Sequence, residues 1–540
     1  MPGVGGRIVA DLRAGGRTAR LAFAALMAAS VGLAYAPSLD HGPRADHWWF
    51  LLDARGHREL PDLIAATYSY NRTRTQSPGD TELFRPVLFV LMAAETHLSD
   101  GDLRVCQAIG IGLHLGVCLL LYGLLRDLRG VAAAGPDGAD APVPGLPEAA
   151  TLFFALNPAV QDLVIWSHLH GYLLFLVFLL GSLRLLTRHA FGGRAGDWRS
   201  PALPAAWVLT LLAAFTYELG QFYAVFAGGF LTAAAAPRVG LPRAAATGAA
   251  FALILAVYQG VNRYDAALHS GRYVPAGNDA AILETSFRPA TLQHSVRFFV
   301  YTTVQPFWPS LVDAALVDGR IRIPETVWDR QFADGFGPAG IVSAGVLLLT
   351  AGLTVAAARG VLAGGDRRWL SAIALPTVLY AAYAGITVLG RMNIRRFSNV
   401  LTDSSYYTYF ALVFALPIVF ALWEAGCRRR GRRPVWLPAG LALLALVGGE
   451  QVRRSTQAVA ADMAAEVRPV QAVQRFVRDH AGEPDFSIAI DYAQSEPVPE
   501  AYGVPVTEIV FDRRISPQPK YRLALVAGRA AALPPAADPR

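Results

Sequence analysis

Long apolar runs separated by short arginine-bearing turns set the pattern of this chain. Runs of about 18 apolar residues suffice to cross a bilayer as helices. Such runs fall near 19–36, 103–125, 148–164, 168–187, 203–217, 219–236, 244–260, 338–358, 369–390, 405–424 and 435–449. The pattern predicts about eleven spans, and so an all-α polytopic membrane protein. Ala34-Tyr35-Ala36 has the small-residue form of a signal-peptidase site, but Pro37 directly after it disfavours cleavage, and the first helix is read as retained. Two further apolar pieces are too short to cross: Phe84-Arg-Pro-Val-Leu-Phe-Val-Leu-Met92 and the stretch from His294 to Trp308, closed by Gln305-Pro-Phe-Trp-Pro309. Both read as helices lying along the membrane surface.

Composition agrees. Of 540 residues, 54% are hydrophobic and 16% charged, with a mean hydropathy of +0.35, whereas soluble domains carry roughly 25% charge. The net charge of +7 comes almost wholly from arginine, Lys520 being the single lysine. Its distribution points to topology rather than to nucleic acid. Arg7, Arg13, Arg17 and Arg20 precede the first span and place the N-terminus in the cytoplasm. Counting from there, the turns with Arg126 and Arg129, with Arg188, Arg194 and Arg199, with Arg238 and Arg243, with Arg359, Arg367 and Arg368, and from Arg428 to Arg433 all fall inside. Outside lie loops of about 38–102 and 261–337, a short turn near Arg391, and the tail. The three cysteines make no disulfide framework. Arginine in place of lysine, with abundant Ala and Gly, fits a GC-rich bacterial genome, and for a multi-pass chain of that origin the expected location is the inner membrane of the cell envelope.

Two units follow: a transmembrane domain over 1–450 and a small extracytoplasmic α/β tail over 451–540. In the tail, Val470, Val473, Phe476 and Val477 recur at helical spacing, and 486–491, 507–511 and 522–526 read as strands. Gly135-Pro-Asp-Gly-Ala-Asp-Ala-Pro142 is an inside linker. The Asn71-Arg-Thr73 sequon is read as chance.

Several local motifs resemble those of the GT-C glycosyltransferases, polytopic enzymes that take sugar from a polyprenyl-phosphate carrier. A long first external loop begins with acidic residues at the end of the first helix, and Asp46-His-Trp-Trp49 resembles an Asp-Asp-Trp run. Phe84-Arg85-Pro86, followed by an apolar helix and then His114, resembles an Arg-Pro-Leu helix and its following span in the branch that includes the protein O-mannosyltransferases. Phe153-Phe-Ala-Leu-Asn-Pro158, with Asp162 and Trp166 after it, resembles Phe-Ala-Leu-His-Pro with Glu and Trp. Phe215-Thr-Tyr-Glu218 resembles a Ser-Lys-Glu turn. The resemblance covers about 19–236. It departs at His170 and Tyr172, where relatives often carry Arg and Asp, at Tyr217 in place of Lys, and in lacking tetratricopeptide repeats.

What the resemblance implies is an inverting glycosyltransferase. It would move a hexose or pentose from a polyprenyl-phosphate donor to an extracytoplasmic glycan, lipid-linked saccharide or protein. Such chemistry needs a carboxylate within reach of the acceptor hydroxyl, at the height where the carrier holds its phosphate. Asp46 is the favoured base and Asp40 the second candidate, with helix capping the plain alternative. Glu218 sits between two predicted spans, either facing the site or holding an ion pair. Asp162 is similar, with helix-end solvation as its alternative. Arg391, Arg395 and Arg396 form a basic cluster in an external turn, where a guanidinium fork suits phosphate oxygens. Tyr406 follows in Ser404-Ser-Tyr-Tyr-Thr-Tyr409. Arg85 is a further phosphate ligand or a headgroup anchor. His168 and His170 stand two apart at a membrane edge as substrate contacts, and no third residue completes a metal site with them. No cofactor is required, although a divalent cation is compatible with the scheme. His114 reads as a packed histidine within its span. The competing function is a flippase for a lipid-linked saccharide. That class favours internal repeats and midplane charges, whereas here the charges gather at external helix ends.

Overall fold

The computed structural model describes residues 16–41, 59–73, 84–99, 103–133, 143–191, 197, 200–268, 315–317, 320–322, 367–391, 406–429, 434–479, 490–491, 522–526 and 529–533. The helices are α1 (Arg17–Tyr35), α2 (Leu60–Thr73), α3 (Pro86–Ser99), α4 (Leu103–Ala133), α5 (Leu146–Ala155), α6 (Gln161–Ile165), α7 (His170–Phe191), α8 (Ala202–Thr216), α9 (Leu219–Val239), α10 (Leu241–Leu268), α11 (Arg367–Arg391), α12 (Tyr406–Arg429) and α13 (Trp436–Asp479). Among the described residues, six stretches are long and apolar enough to cross a membrane: Arg17–Asp40, Arg104–Val131, Ser167–Phe191, Leu219–Val239, Leu241–Asp265 and Tyr407–Cys427. The chain is thus a mostly helical, multi-pass membrane protein. The predicted span 338–358 and the surface helix from His294 to Trp308 lie outside the described residues.

Three predicted spans take a different form. The run 148–164 is broken: α5 stops at Ala155, Asn157 accepts the Ala159 N–H at 3.0 Å, and a 3-10 turn at Pro158–Val160 leads into α6. Pro158 has no N–H to give and biases Asn157 toward extended backbone, so a continuous helix cannot pass. The run 203–217 is the 15-residue helix α8, too short alone for a perpendicular crossing. The last run, 435–449, continues as α13 through residue 450 to Asp479, because alanine-rich helix formers such as Ala458, Ala460, Ala461 and Ala464 follow it.

The bundle packs around α12, whose most apolar stretch is 78% buried, against 33% for α1 and α10 at the periphery. Helix α1 shows why: Phe23, Met27, Val31 and Ala34 recur on one face and are buried, while Leu21, Leu26 and Leu33 stay exposed. In a bilayer, lipid is as apolar as leucine, so close packing and interhelical hydrogen bonds must hold helices together. At the α9–α10 crossing, a Cβ added to Gly228 would overlap the Gly248 carbonyl, so glycine there lets two backbones touch. Ser182 of α7, Thr210 of α8 and Tyr223 of α9 form a buried hydroxyl cluster, with Ser182–Thr210 at 2.8 Å and Tyr223 donating to Ser182 at 3.0 Å.

Helix directions sort the charges to two ends. Arg20, Arg126, Arg184 and Arg188 gather at one end of α1, α4 and α7. Arg238 of α9 joins that end by donating to Ala190 O at 3.1 Å. At the opposite end Asp40 meets Arg104, His170 meets Glu95, and Arg85 meets Glu218. The chain after α1 is pinned there too, by a bond of 2.9 Å from His41 Nε2 to Thr456 O of α13.

Short strands complete the described residues. β1 (Ala315–Val317) and β2 (Arg320–Arg322) pair antiparallel, and β3 (Ile490–Asp491), β4 (Arg522–Val526) and β5 (Arg529–Leu533) pair antiparallel in the order β3-β5-β4. The predicted strand 522–526 is β4, 486–491 is met only at β3, and 507–511 lies outside the described residues.

Candidate active site

Phe84-Arg85-Pro86 is held at the start of α3 for local reasons. Pro86 is the first helical residue, where its missing N–H costs nothing and its fixed φ suits the helix. The Phe84 ring packs edge-on against Phe215 and Tyr258, with centroids 6.0 and 5.7 Å away, and the Tyr258 hydroxyl donates to Phe84 O at 2.9 Å. Arg85 is thereby aimed at the turn between α8 and α9.

That turn is equally constrained. Tyr217 is extended and donates its N–H to Ala213 O at 3.0 Å, and Gly220 donates to Tyr217 O at 2.9 Å. A Cβ on Gly220 would lie 2.5 Å from the Ala213 carbonyl carbon, so only glycine closes the turn this tightly. Glu218 occupies the N-cap of α9, where the positive helix end favours a carboxylate.

Arg85 and Glu218 form a two-pronged ion pair, Nε to Oε1 and Nη2 to Oε2, each 2.7 Å. Arg85 Nη1 also donates to the Tyr172 hydroxyl at 2.9 Å. The guanidinium carbon lies 4.8 Å from the centre of the Tyr217 ring and 5.4 Å from that of Tyr172. Side-chain exposure is 12% for Arg85 and 31% for Glu218, so the pair is sheltered but reachable. A guanidinium has five N–H groups; three are used here, leaving one on Nη1 and one on Nη2 for an anionic oxygen. Tyr172, Tyr217, Phe175, Tyr383 and Phe410 form a continuous aromatic wall behind it.

A second pair, Glu95 with His170, joins α3 to the start of α7. His170 is fully buried, with Nε2 donating to Val164 O at 3.2 Å and Nδ1 lying 2.9 Å from Glu95 Oε1. A carbonyl can only accept, so Nε2 carries a proton. The Nδ1–Oε1 contact must then hold one more, on the imidazole or on the carboxyl. Burial pushes the Glu95 carboxyl above its ordinary range, and the facing His170 pulls it part of the way back. A Cβ on Gly110 of α4 would overlap the His170 ring, so glycine makes room for it.

The remaining predicted residues are dispersed. Asp40 ends a 3-10 turn at Ala36–Asp40 and pairs with Arg104 at 2.7 Å, both well exposed. Asp162 is fully buried in α6, so it is not a solvated helix end as its alternative reading had it. His168 is half-buried, its ring 6.0 Å from that of Trp166. Arg391 is the last residue of α11 and Tyr406 the first of α12, while Asp46, Arg395 and Arg396 lie outside the described residues. Among the described residues no group of three His, Cys, Asp or Glu side chains is placed to hold a metal. His114 is packed within the bundle: Nε2 donates to Ala155 O at 3.0 Å, and Nδ1 accepts from Tyr409 Oη at 2.7 Å.

No protein-family model matches the chain, and no curated protein matches it. Two solved structures do. One is the archaeal oligosaccharyltransferase AglB from Archaeoglobus fulgidus in complex with an inhibitory peptide and a dolichol-phosphate, at 14% identity and a TM-score of 0.38 over 86% of this chain and 58% of that one. The other is the Archaeoglobus fulgidus oligosaccharyltransferase tethered to an acceptor peptide containing the NVT sequon, at 12% identity and a TM-score of 0.36 over 93% of this chain and 60% of that one. The chain thus spans about three-fifths of the length of the structures it matches. Both are oligosaccharyltransferases rather than members of the O-mannosyltransferase branch. A likeness at this level assigns no residue and no activity to the present chain.

Glu95 escapes a sequence reading, since it stands in an apolar helix and belongs to none of the recognised motifs. The signal that was present is a lone carboxylate in Pro86-Val-Leu-Phe-Val-Leu-Met-Ala-Ala-Glu95, which is costly to bury unless it has a partner. Tyr172 and Tyr217 were visible only as departures from a family pattern. Their spacing to Arg85 could not be read from the chain.

Proposed function

We propose that the chain is a membrane glycosyltransferase of the GT-C type, working on a polyprenyl-phosphate-linked sugar at the extracytoplasmic face. The observation that carries this reading is the meeting of Arg85 and Glu218. Each was singled out by a separate motif, 133 residues apart, and they join at the helix ends opposite the basic turns. A glycosyltransferase using a lipid carrier needs an acid–base group and cationic donors near the carrier's phosphate.

In the proposed reaction an acceptor hydroxyl oxygen attacks the anomeric carbon of the donor. The bond from that carbon to the phosphate oxygen breaks, and the polyprenyl phosphate leaves with the electron pair. Attack from the face opposite the leaving group inverts the anomeric centre. Asp46 takes the hydroxyl proton, a role typically contributing about 10²–10⁴-fold, with Asp40 as the second candidate. Arg85 offers its two remaining N–H groups to phosphate oxygens, helped by Arg391 at the end of α11 and by Arg395 and Arg396 a few residues further along the chain. Glu218 positions Arg85. The reading needs no cofactor and is compatible with a divalent cation on the phosphate. It places the N-terminus in the cytoplasm, counts about eleven spans with 338–358, the broken run 148–164 and the short helix α8 included, and exports the tail 451–540 as an α/β unit.

The test is turnover of polyprenyl-phosphate-linked sugars by the full chain in proteoliposomes. Consumption of a donor that is lost in Asp46→Asn supports the reading. Movement of a lipid-linked saccharide across the bilayer without its consumption would instead make the chain a flippase.

A further inference from the structure

Away from that site, a cavity of about 350 Å³ opens between α1, α4 and α7 at the basic end of the bundle. Four guanidiniums line it, those of Arg20, Arg126, Arg184 and Arg188, and Asp127 supplies the one lining carboxylate. Arg184 and Arg188 both donate to the same oxygen, Asp127 Oδ2, at 2.8 and 2.9 Å. A single carboxylate thus fixes two cations in place without balancing them. Arg126 donates to the Tyr122 hydroxyl at 3.2 Å, and Tyr122 in turn donates to Glu148 at 2.8 Å, outside the cavity lining. A Cβ on Gly123 would overlap the Arg184 guanidinium, so glycine lets that head lie flat against α4.

The positive-inside trend accounts for arginines near helix ends, but it asks only that they face water. These four instead converge from three helices on one recess. Leu119, one turn from Gly123 on α4, adds an apolar wall, and α1, which supplies Arg20, exposes Leu21 and Leu26. We infer that this recess binds the phosphate headgroup of an anionic glycerophospholipid of the cytoplasmic leaflet, with its acyl chains running along α1. Guanidinium forks match phosphate oxygens in pairs, and basic recesses between spans at the cytoplasmic surface suit such headgroups. A soluble phosphate would use the same donors but gain nothing from Leu119 or the exposed leucines. The inference goes beyond the proposed activity and is independent of it, sharing only the orientation of the chain.

Native mass spectrometry of the purified full chain tests it. The protein is titrated separately with cardiolipin, phosphatidylglycerol, phosphatidylethanolamine and inorganic phosphate. The two anionic lipids are expected to bind at least about tenfold more tightly than phosphatidylethanolamine. Arg20→Gln with Arg126→Gln should abolish that preference. Asp127→Asn removes the one competing carboxylate and should strengthen anionic-lipid binding, a gain that misfolding cannot produce. Unchanged lipid preference in the double glutamine variant would overturn the inference. So would weaker anionic-lipid binding in Asp127→Asn, or displacement of the lipids by millimolar inorganic phosphate.

Discussion

Removing Glu218 while keeping its shape tests whether the Arg85 pair holds the site together. Glu218→Gln leaves the Arg85 guanidinium 12% exposed, facing a neutral amide and still bonded to Tyr172. Two charge-assisted bonds of 2.7 Å become ordinary ones or are lost. A hydrogen bond to a charged group is worth about 1.5–3 kcal/mol. Opposite unit charges about 4 Å apart attract by about 4 kcal/mol at an effective dielectric of 20, and the desolvation of both groups cancels much of that. Because Glu218 is nearly a third exposed, solvent screening brings the expected loss down to about 2 kcal/mol. Arg85→Gln should cost more, because it also removes the cation–π contact with Tyr217 and the donor to Tyr172. The double variant Arg85→Gln/Glu218→Gln closes the cycle, with an expected coupling of about 1.5–2.5 kcal/mol. Unfolding is followed by SDS titration in mixed micelles for all four proteins. Additivity within about 0.5 kcal/mol would refute the claim that the pair positions Arg85.

Other expectations follow from neighbouring contacts. Tyr172→Phe removes one acceptor but keeps the ring, so it should cost about 0.5–1.5 kcal/mol in the same titration, and less than Arg85→Gln. A carboxyl raised by burial, as Glu95 is, binds its proton more tightly in the folded protein than in the unfolded chain. Its contribution is therefore complete below the unfolded value of about 4.3 and is lost as pH rises through the raised folded value. Glu95→Gln should remove that loss, so the wild type should fall relative to the variant as pH rises above the unfolded value; parallel curves would count against it. Gly248→Leu forces a side chain into the α9–α10 backbone contact and should cost at least about 1–3 kcal/mol, read as lower thermal stability in detergent.

Most helices of the bundle could be read from hydropathy, because a bilayer accepts only segments whose backbone is satisfied internally. The broken run at Asn157-Pro158 carried its own signal, a turn dipeptide, but the apolar run around it concealed the break. The continuation of α13 past residue 450 was hidden because hydropathy falls there while helix propensity does not. Site residues divide in the same way. Arg85, Glu218 and His170 could be named individually, since charged or titratable groups at apolar helix ends are conspicuous. Which groups pair could not be read, because pairing depends on how α3, α7 and the α8–α9 turn pack, and nothing local encodes that. Asp162 shows the cost of reading position alone, since the bundle buries it completely.

The central claim is sugar transfer from a lipid carrier with an external carboxylate as base. Purified full chain, reconstituted in proteoliposomes with radiolabelled polyprenyl-phosphate-linked sugars, should release polyprenyl phosphate and label an acceptor added on the extracytoplasmic side. Asp46→Asn should lower that rate about 10²–10⁴-fold with expression and melting behaviour unchanged. An Asp46→Asn protein that turns over at the wild-type rate, or a wild-type protein that consumes no lipid-linked sugar at all, would contradict the account.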